Sequence, residues 1–139
     1  MIEEAGKRLA HLENVLFKVS DAYSLSNIAG NFNGAFAVLF WCHIPRERRR
    51  EFLSVLCNKL ESGSPVVFVG QLPDNDVQSH STDHYGNKLA HRRAAGKDFS
   101  ILKNIPDRNE LLADLKAFAV DIQYNRYSSG FWSVSWKTV

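Results

Sequence analysis

Residues 35–41, Ala-Phe-Ala-Val-Leu-Phe-Trp, form an unbroken apolar run with no charge and no proline. A strand with one wet face alternates apolar and polar positions. A strand apolar at every position is covered on both faces, which is the pattern of a parallel sheet. A second such run, Val66-Val67-Phe68-Val69, follows. Between them Pro45 stands where a helix tolerates a missing N–H. Residues 46–61 continue as that helix, with Phe52, Leu53, Leu56 and Leu60 as its buried stripe. Arg46, Arg49 and Arg50 are expected to face solvent, and Gly63 is placed to end the helix. Strand, helix and strand in this order imply an α/β domain.

The rest of the chain fits around this unit. Residues 3–13 read as a short helix carrying Leu9 and Leu12, stopped by Asn14. Val15-Leu16-Phe17-Lys18-Val19 reads as a strand, and Asp21 begins a polar loop. Residues 72–97 are rich in Asp, Asn, Ser and His and have no clear period, so a long loop is expected there. Phe99-Ser100-Ile101-Leu102 reads as a short strand. Asp107 and Glu110 have capping-box spacing and open a helix with Leu111, Leu112, Leu115 and Phe118 on one face. Residues 120–126 and 131–138 read as an antiparallel hairpin around Ser128-Ser129-Gly130, with Trp132, Val134 and Trp136 on one face. The whole of 1–139 reads as a single domain.

Bulk properties narrow the function. The 139 residues are 45% hydrophobic, enough for a core without disulfides or a structural metal. A net charge of +2 does not argue for nucleic acid or membrane. The basic runs 46–50 and 91–93 lack interleaved aromatics, so no nucleic-acid surface is expected, although Arg92 and Arg93 could meet an anionic substrate. His80 and His84 would share a face on a helix and could grip a metal, but no helix is evident, so no metal is expected. Cys42 and Cys57 lie in apolar runs, as buried thiols do in a reducing compartment. The acidic N-terminus resembles no signal peptide, and no apolar run is long enough to span a bilayer. A cytoplasmic protein is expected.

The segment 32–45, from Phe32-Asn33-Gly34 to Trp41-Cys42-His43-Ile44-Pro45, resembles the fourth strand of class I S-adenosylmethionine-dependent methyltransferases of the small-molecule type. The helix ending Lys59-Leu60-Glu61-Ser62-Gly63, the strand Val66-Val67-Phe68-Val69-Gly70-Gln71, and Arg92-Arg93 through Lys103-Asn104 extend the resemblance. It implies an incomplete Rossmann-like sheet, mostly parallel with a C-terminal antiparallel hairpin. In family order the sheet runs 3-2-1-4-5-7-6, and the alignment leaves no counterpart here for strands one and two. Their glycine-rich turn and acidic ribose contact have no counterpart either. The cluster Gly30-Asn31-Phe32-Asn33-Gly34 precedes a strand instead of joining strand to helix, so it is not a nucleotide loop.

The resemblance also implies a site. Asp21 and Ala22 fall where the family contacts the adenine of S-adenosylmethionine, and Trp41 stands at the edge facing the cofactor. His43, at the end of the same strand, would be a general base acting on the hydroxyl of a small-molecule acceptor. Asn33 departs from the acidic residue many relatives carry there. Without the glycine-rich turn the isolated chain is expected to hold the cofactor poorly and to act as an assembly or interaction module. Residues 35–41 would be an unguarded sheet edge, so a homodimer is expected.

Overall fold

The chain opens with α1 (Ile2–Arg8), a short helix that buries no residue. In the computed structural model, which describes residues 2–75 and 80–139, the two apolar runs are neighbours. β1 (Ala35–Val38) pairs in parallel with β2 (Pro65–Gln71), Ala35 opposite Val66 and Val38 opposite Val69. α2 (Arg49–Cys57) makes the crossover, preceded by a 3₁₀ turn at Arg46–Arg48 that follows Pro45. Gly63, at φ 79°, takes the left-handed conformation in the turn leading to β2.

After β2 the chain leaves the main sheet and builds a second one. β3 (His80–Thr82), β4 (Lys88–Ala94) and β5 (Lys97–Leu102) form a three-stranded antiparallel sheet. This corrects the long loop expected over 72–97, of which 76–79 lie outside the described residues. The strands are polar because nearly all of the sheet faces solvent, and Ala90 at 0% exposure is its deeply buried apolar residue. Ala95 and Gly96, both at positive φ (49° and 74°), make the two-residue turn between β4 and β5.

α3 (Arg108–Leu115) starts as its capping spacing predicts: the Asp107 carboxylate accepts from the Glu110 N–H at 2.8 Å. β6 (Ala119–Arg126) and β7 (Phe131–Thr138) then return to the main sheet, whose order is β1-β2-β7-β6. β7 is antiparallel to both neighbours, so β1, β2 and β6 run one way and β7 the other. The core lies on one face of this sheet. Val66 and Phe68, Trp132, Val134 and Trp136 pack there against Phe52 and Leu53 of α2 and Leu111 and Leu115 of α3.

The opposite face is bare beside β1. Phe36 is 81% exposed and Val38 57%, and their neighbours across the pairing are Val67 and Val69. The strand expected at 15–19 does not form. Leu16 and Val19 are 78% and 73% exposed, and among the described residues β1 has no strand partner on its outer edge; the isolated bridge from Phe32 to Leu60 lies on the β2 side. An apolar run becomes a strand only when an edge is within its reach, and the run cannot encode that. Two lengths also shrink: the first helix stops at Arg8, and the helix expected over 46–61 is regular only from Arg49 to Cys57.

Gly70 sits opposite Trp132, and a Cβ at this position would lie 2.2 Å from the indole Cζ2. Gly70→Ala therefore forces the buried Trp132 to move. Urea unfolding is expected to show a loss of about 1–3 kcal/mol, as for other overpacked cores. An unchanged midpoint would mean that Trp132 can vacate its place without cost.

Candidate functional site

β1 ends early because Leu39 takes a positive φ of 55°. A non-glycine residue in that region costs on the order of 1–3 kcal/mol and turns the chain sharply. Its N–H still reaches Val69 O at 2.8 Å, so the turn stays docked on β2. A 3₁₀ turn, Trp41–His43, follows. Three residues per turn place positions three apart on the same side. Trp41 and Ile44, at 2% and 0% exposure, accordingly point into the core, while Cys42 and His43 point out.

They point into a cleft of about 330 Å³. Leu39, Cys42 and His43 line it from beyond β1, Gln71 from the end of β2, Ala90 and Arg92 from β4, and Ile101 and Lys103 from the β5 side. The cleft thus lies at the C-terminal ends of the two parallel strands, where open α/β sheets bind ligands. The small sheet forms its opposite wall.

Hydrogen bonds weld that wall to the end of β1. Asn104 N–H donates to Cys42 O at 2.7 Å, and its side-chain amide donates to Ile44 O at 3.1 Å. The His43 ring meets Leu102 O through Nδ1 at 2.7 Å. The Asn104 amide also donates to Asn87 Oδ1 at 2.8 Å and accepts from Lys88 N–H at 2.8 Å. Asn87 in turn accepts from Arg46 N–H and donates to Glu47 and Asp83. The Asp83 carboxylate loses some hydration, which raises its pKa. Hydrogen bonds from Asn87 and Tyr85 outweigh that loss, and the net direction is downward.

Behind the cleft lies a second polar cluster. The Arg49 side chain is 3% exposed, yet the sequence placed it on the solvent face. It bonds Glu110 at 2.6 Å and Asp114 at 2.9 Å, and its guanidinium stands over the Trp41 ring at 5.2 Å. Arg46 also pairs with Glu110. The partners lie 61 and 65 residues away from Arg49, so no local pattern could reveal the burial. Burial pushes the Asp114 carboxyl up from its usual range, against the pull of Arg49.

The residues expected to form one site are therefore divided. His43 lines the cleft, but Trp41 does not, because the 3₁₀ turn sends its ring into the core beside Phe68, centroids 5.8 Å apart. Asp21 closes a local turn, its carboxylate accepting from Tyr23 N–H at 2.7 Å. Ala22 packs against the core, as does Tyr23, whose ring lies under the Arg48 guanidinium at 3.5 Å. Neither Asp21 nor Ala22 is among the residues lining the cleft. The histidines split too: His80 begins β3, His84 lies in a turn with its ring tilted against Tyr85, and His91 bonds Ser81 and Ser100. Among the described residues no three His, Cys, Asp or Glu converge as a metal site, and no helix is long and apolar enough to cross a membrane. Sequence reasoning missed Gln71, Ala90, Ile101 and Lys103 as lining residues, and the strand pattern around the Ala95-Gly96 turn was the available signal.

Neither protein-family models nor curated proteins match the sequence. Solved structures do. A protein from Pyrococcus horikoshii superimposes with a TM-score of 0.79 at 12% identity, covering 100% of this chain and 69% of its own. The CcbJ methyltransferase from Streptomyces caelestis gives 0.73 at 13% identity, covering 100% and 75%. DhpI, solved with SAH, gives 0.72 at 22% identity, covering 99% and 61%. The chain carries part of a methyltransferase fold. At these identities the likeness is one of fold. It spans 61–75% of the length of the three proteins named. The order β1-β2-β7-β6 agrees with the 4-5-7-6 part of the order that the resemblance implies.

Arg49→Ala would leave Glu110 and Asp114 facing each other without the buried cation. The expected loss is about 2–4 kcal/mol, given that both carboxylates keep some solvent contact. The pH dependence has a definite sign. A carboxyl whose folded pKa is raised contributes stability below its unfolded pKa and loses it as pH rises through the folded value. Removing Arg49 raises the Asp114 pKa further, so the variant should recover part of its stability in acid relative to neutral buffer. Urea unfolding at both pH values checks this, and an equal deficit at both would contradict it.

Proposed function

We propose that this chain is a methyltransferase-like assembly module that does not hold S-adenosylmethionine by itself. The observation that carries the reading is the unguarded edge and bare face of β1, with Phe36 81% and Val38 57% exposed. No lysine, proline or charge occupies Ala35–Val38, so nothing opposes pairing with another chain. Exposed apolar patches of this kind mark interfaces. A two-fold pairing buries the same patch from both copies at once, which makes a homodimer the simplest assembly. Cys42 and Cys57, as thiols outside a disulfide, suit a cytoplasmic setting.

The described residues do not fit the cofactor that the fold implies. The Asp21 carboxylate serves its own turn, Trp41 is in the core, and Gly30, at φ 89°, precedes a strand instead of joining strand to helix. None of the described residues lining the cleft is a glycine. A second reading is favoured by His43 in the cleft: a methyltransferase of a small-molecule acceptor whose cofactor site is completed by another segment or chain. His43 would then accept the proton of the acceptor hydroxyl, and Asp21 and Ala22 would lie toward the adenine.

Two measurements separate these readings. Light scattering at micromolar concentration is expected to give twice the 15.7 kDa protomer mass, with an interface of roughly 1,600 Å² in total. A clean monomer would refute the assembly. Calorimetry with S-adenosylmethionine is expected to show no binding. A micromolar dissociation constant, about −8 kcal/mol, would overturn the first reading and favour the second.

A further inference from the structure

Resting on the second reading, in which His43 is the base of this cleft, we propose that Asn104 is a positioning residue that holds His43 as its Nδ1–H tautomer, leaving Nε2 as the atom that accepts a proton. Leu102 O is a carbonyl and can only accept, so at 2.7 Å the neutral ring must carry its hydrogen on Nδ1. Nε2 then bears the lone pair, and it has no hydrogen-bond partner among the described residues. The contact depends on where residue 102 is held relative to residue 43. That distance is set two residues further on, at Asn104.

Asn104 bridges both segments. Its backbone N–H holds Cys42 O, on one side of His43, and its side-chain amide holds Ile44 O, on the other. The side chain is 0% exposed and both ends of its amide are engaged, Oδ1 by Lys88 N–H and Nδ2 by Ile44 O and Asn87 Oδ1. A flipped amide would set Oδ1 against two acceptors, so one orientation survives. Residues 42–44 and 102–104 are thus clamped at three points. His91 is the contrasting case in the same chain. Its two nitrogens meet the hydroxyls of Ser81 and Ser100, which can each donate or accept, so nothing there selects a tautomer.

Long-range proton–nitrogen NMR of the full chain reads the tautomer directly. In the wild type His43 is expected to show a single neutral form with hydrogen on Nδ1. The Nε2–H form, or a mixture, would overturn the proposal. In Asn104→Ala both ring-nitrogen resonances of His43 should shift toward the averaged position of a mixture, with His91 unmoved. A folded Asn104→Ala whose His43 stays wholly Nδ1–H would also overturn it. Should that variant not fold, Asn104→Gln keeps the amide and displaces it, and the same two outcomes apply. None of these readouts needs cofactor or turnover. The base reading is tested separately, by the calorimetry with S-adenosylmethionine, so the failure of one does not imply failure of the other.

Discussion

Asn104 has no solvent contact, so each of its polar atoms needs a partner inside the protein. It finds them on three elements: the turn after β1, the first residue of β4 and the side chain of Asn87. Asn87, 2% exposed, passes the network on to the N–H of Arg46 at the head of the crossover helix. Each such bond contributes about 1 kcal/mol net, but leaving a buried donor or acceptor unmatched costs about 1–3 kcal/mol. The pair is therefore close to all-or-none. The small sheet has little apolar surface to hold it, and these two amides do what a core would otherwise do. They fix the two walls of the cleft relative to each other.

The main sheet was legible because its burial is written locally. Val66-Val67-Phe68-Val69 and the alternation of Trp132, Val134 and Trp136 carry their environment in the order of side chains, and Asp107 with Glu110 marks the start of a helix by spacing alone. β3 and β4 were illegible for the opposite reason, while Phe99–Leu102 of β5 was read as a strand. A sheet resting on Ala90 has no apolar rhythm, and its polar strands read as loop until the turn at Ala95-Gly96 is recognised. Arg49 looked like an exposed helix charge because its carboxylates come from a different third of the chain. Asn87 and Asn104 gave no warning at all: a buried asparagine and a loop asparagine are the same letter. Of the residues lining the cleft, His43 was named through the resemblance, and its separation from Trp41 was not legible, since the two diverge on the turn that follows Leu39.

The main sheet is also unequal on its two sides. Its packed side closes over three tryptophans, counting Trp41 with those of β7, whereas the other side changes character across its width. Near β1 it is Phe36, Val38 and Val67; near β6 the cross-strand partners are Ser135 with Gln123 and Ser133 with Asn125. A layered α/β fold normally covers both faces. Here the apolar half lies beside the free edge, so edge and face form one continuous surface, while the polar half can remain wet.

The 3₁₀ turn after Leu39 gives the site an unusual kind of code. With three residues to a turn, Trp41 and Ile44 share the inward side, and Cys42 and His43 take the remaining two directions. Which residue meets the cleft is thus decided by counting from β1. Exchanging one side chain for another leaves that count intact. Inserting one residue between Val38 and Trp41 would rotate the whole set, carrying the imidazole into the core and the indole into the cleft, whereas deleting one would carry Cys42 into the core. Among descendants of such a chain, drift in composition along this stretch would be quiet, and a change of length would be the event that rewrites its chemistry.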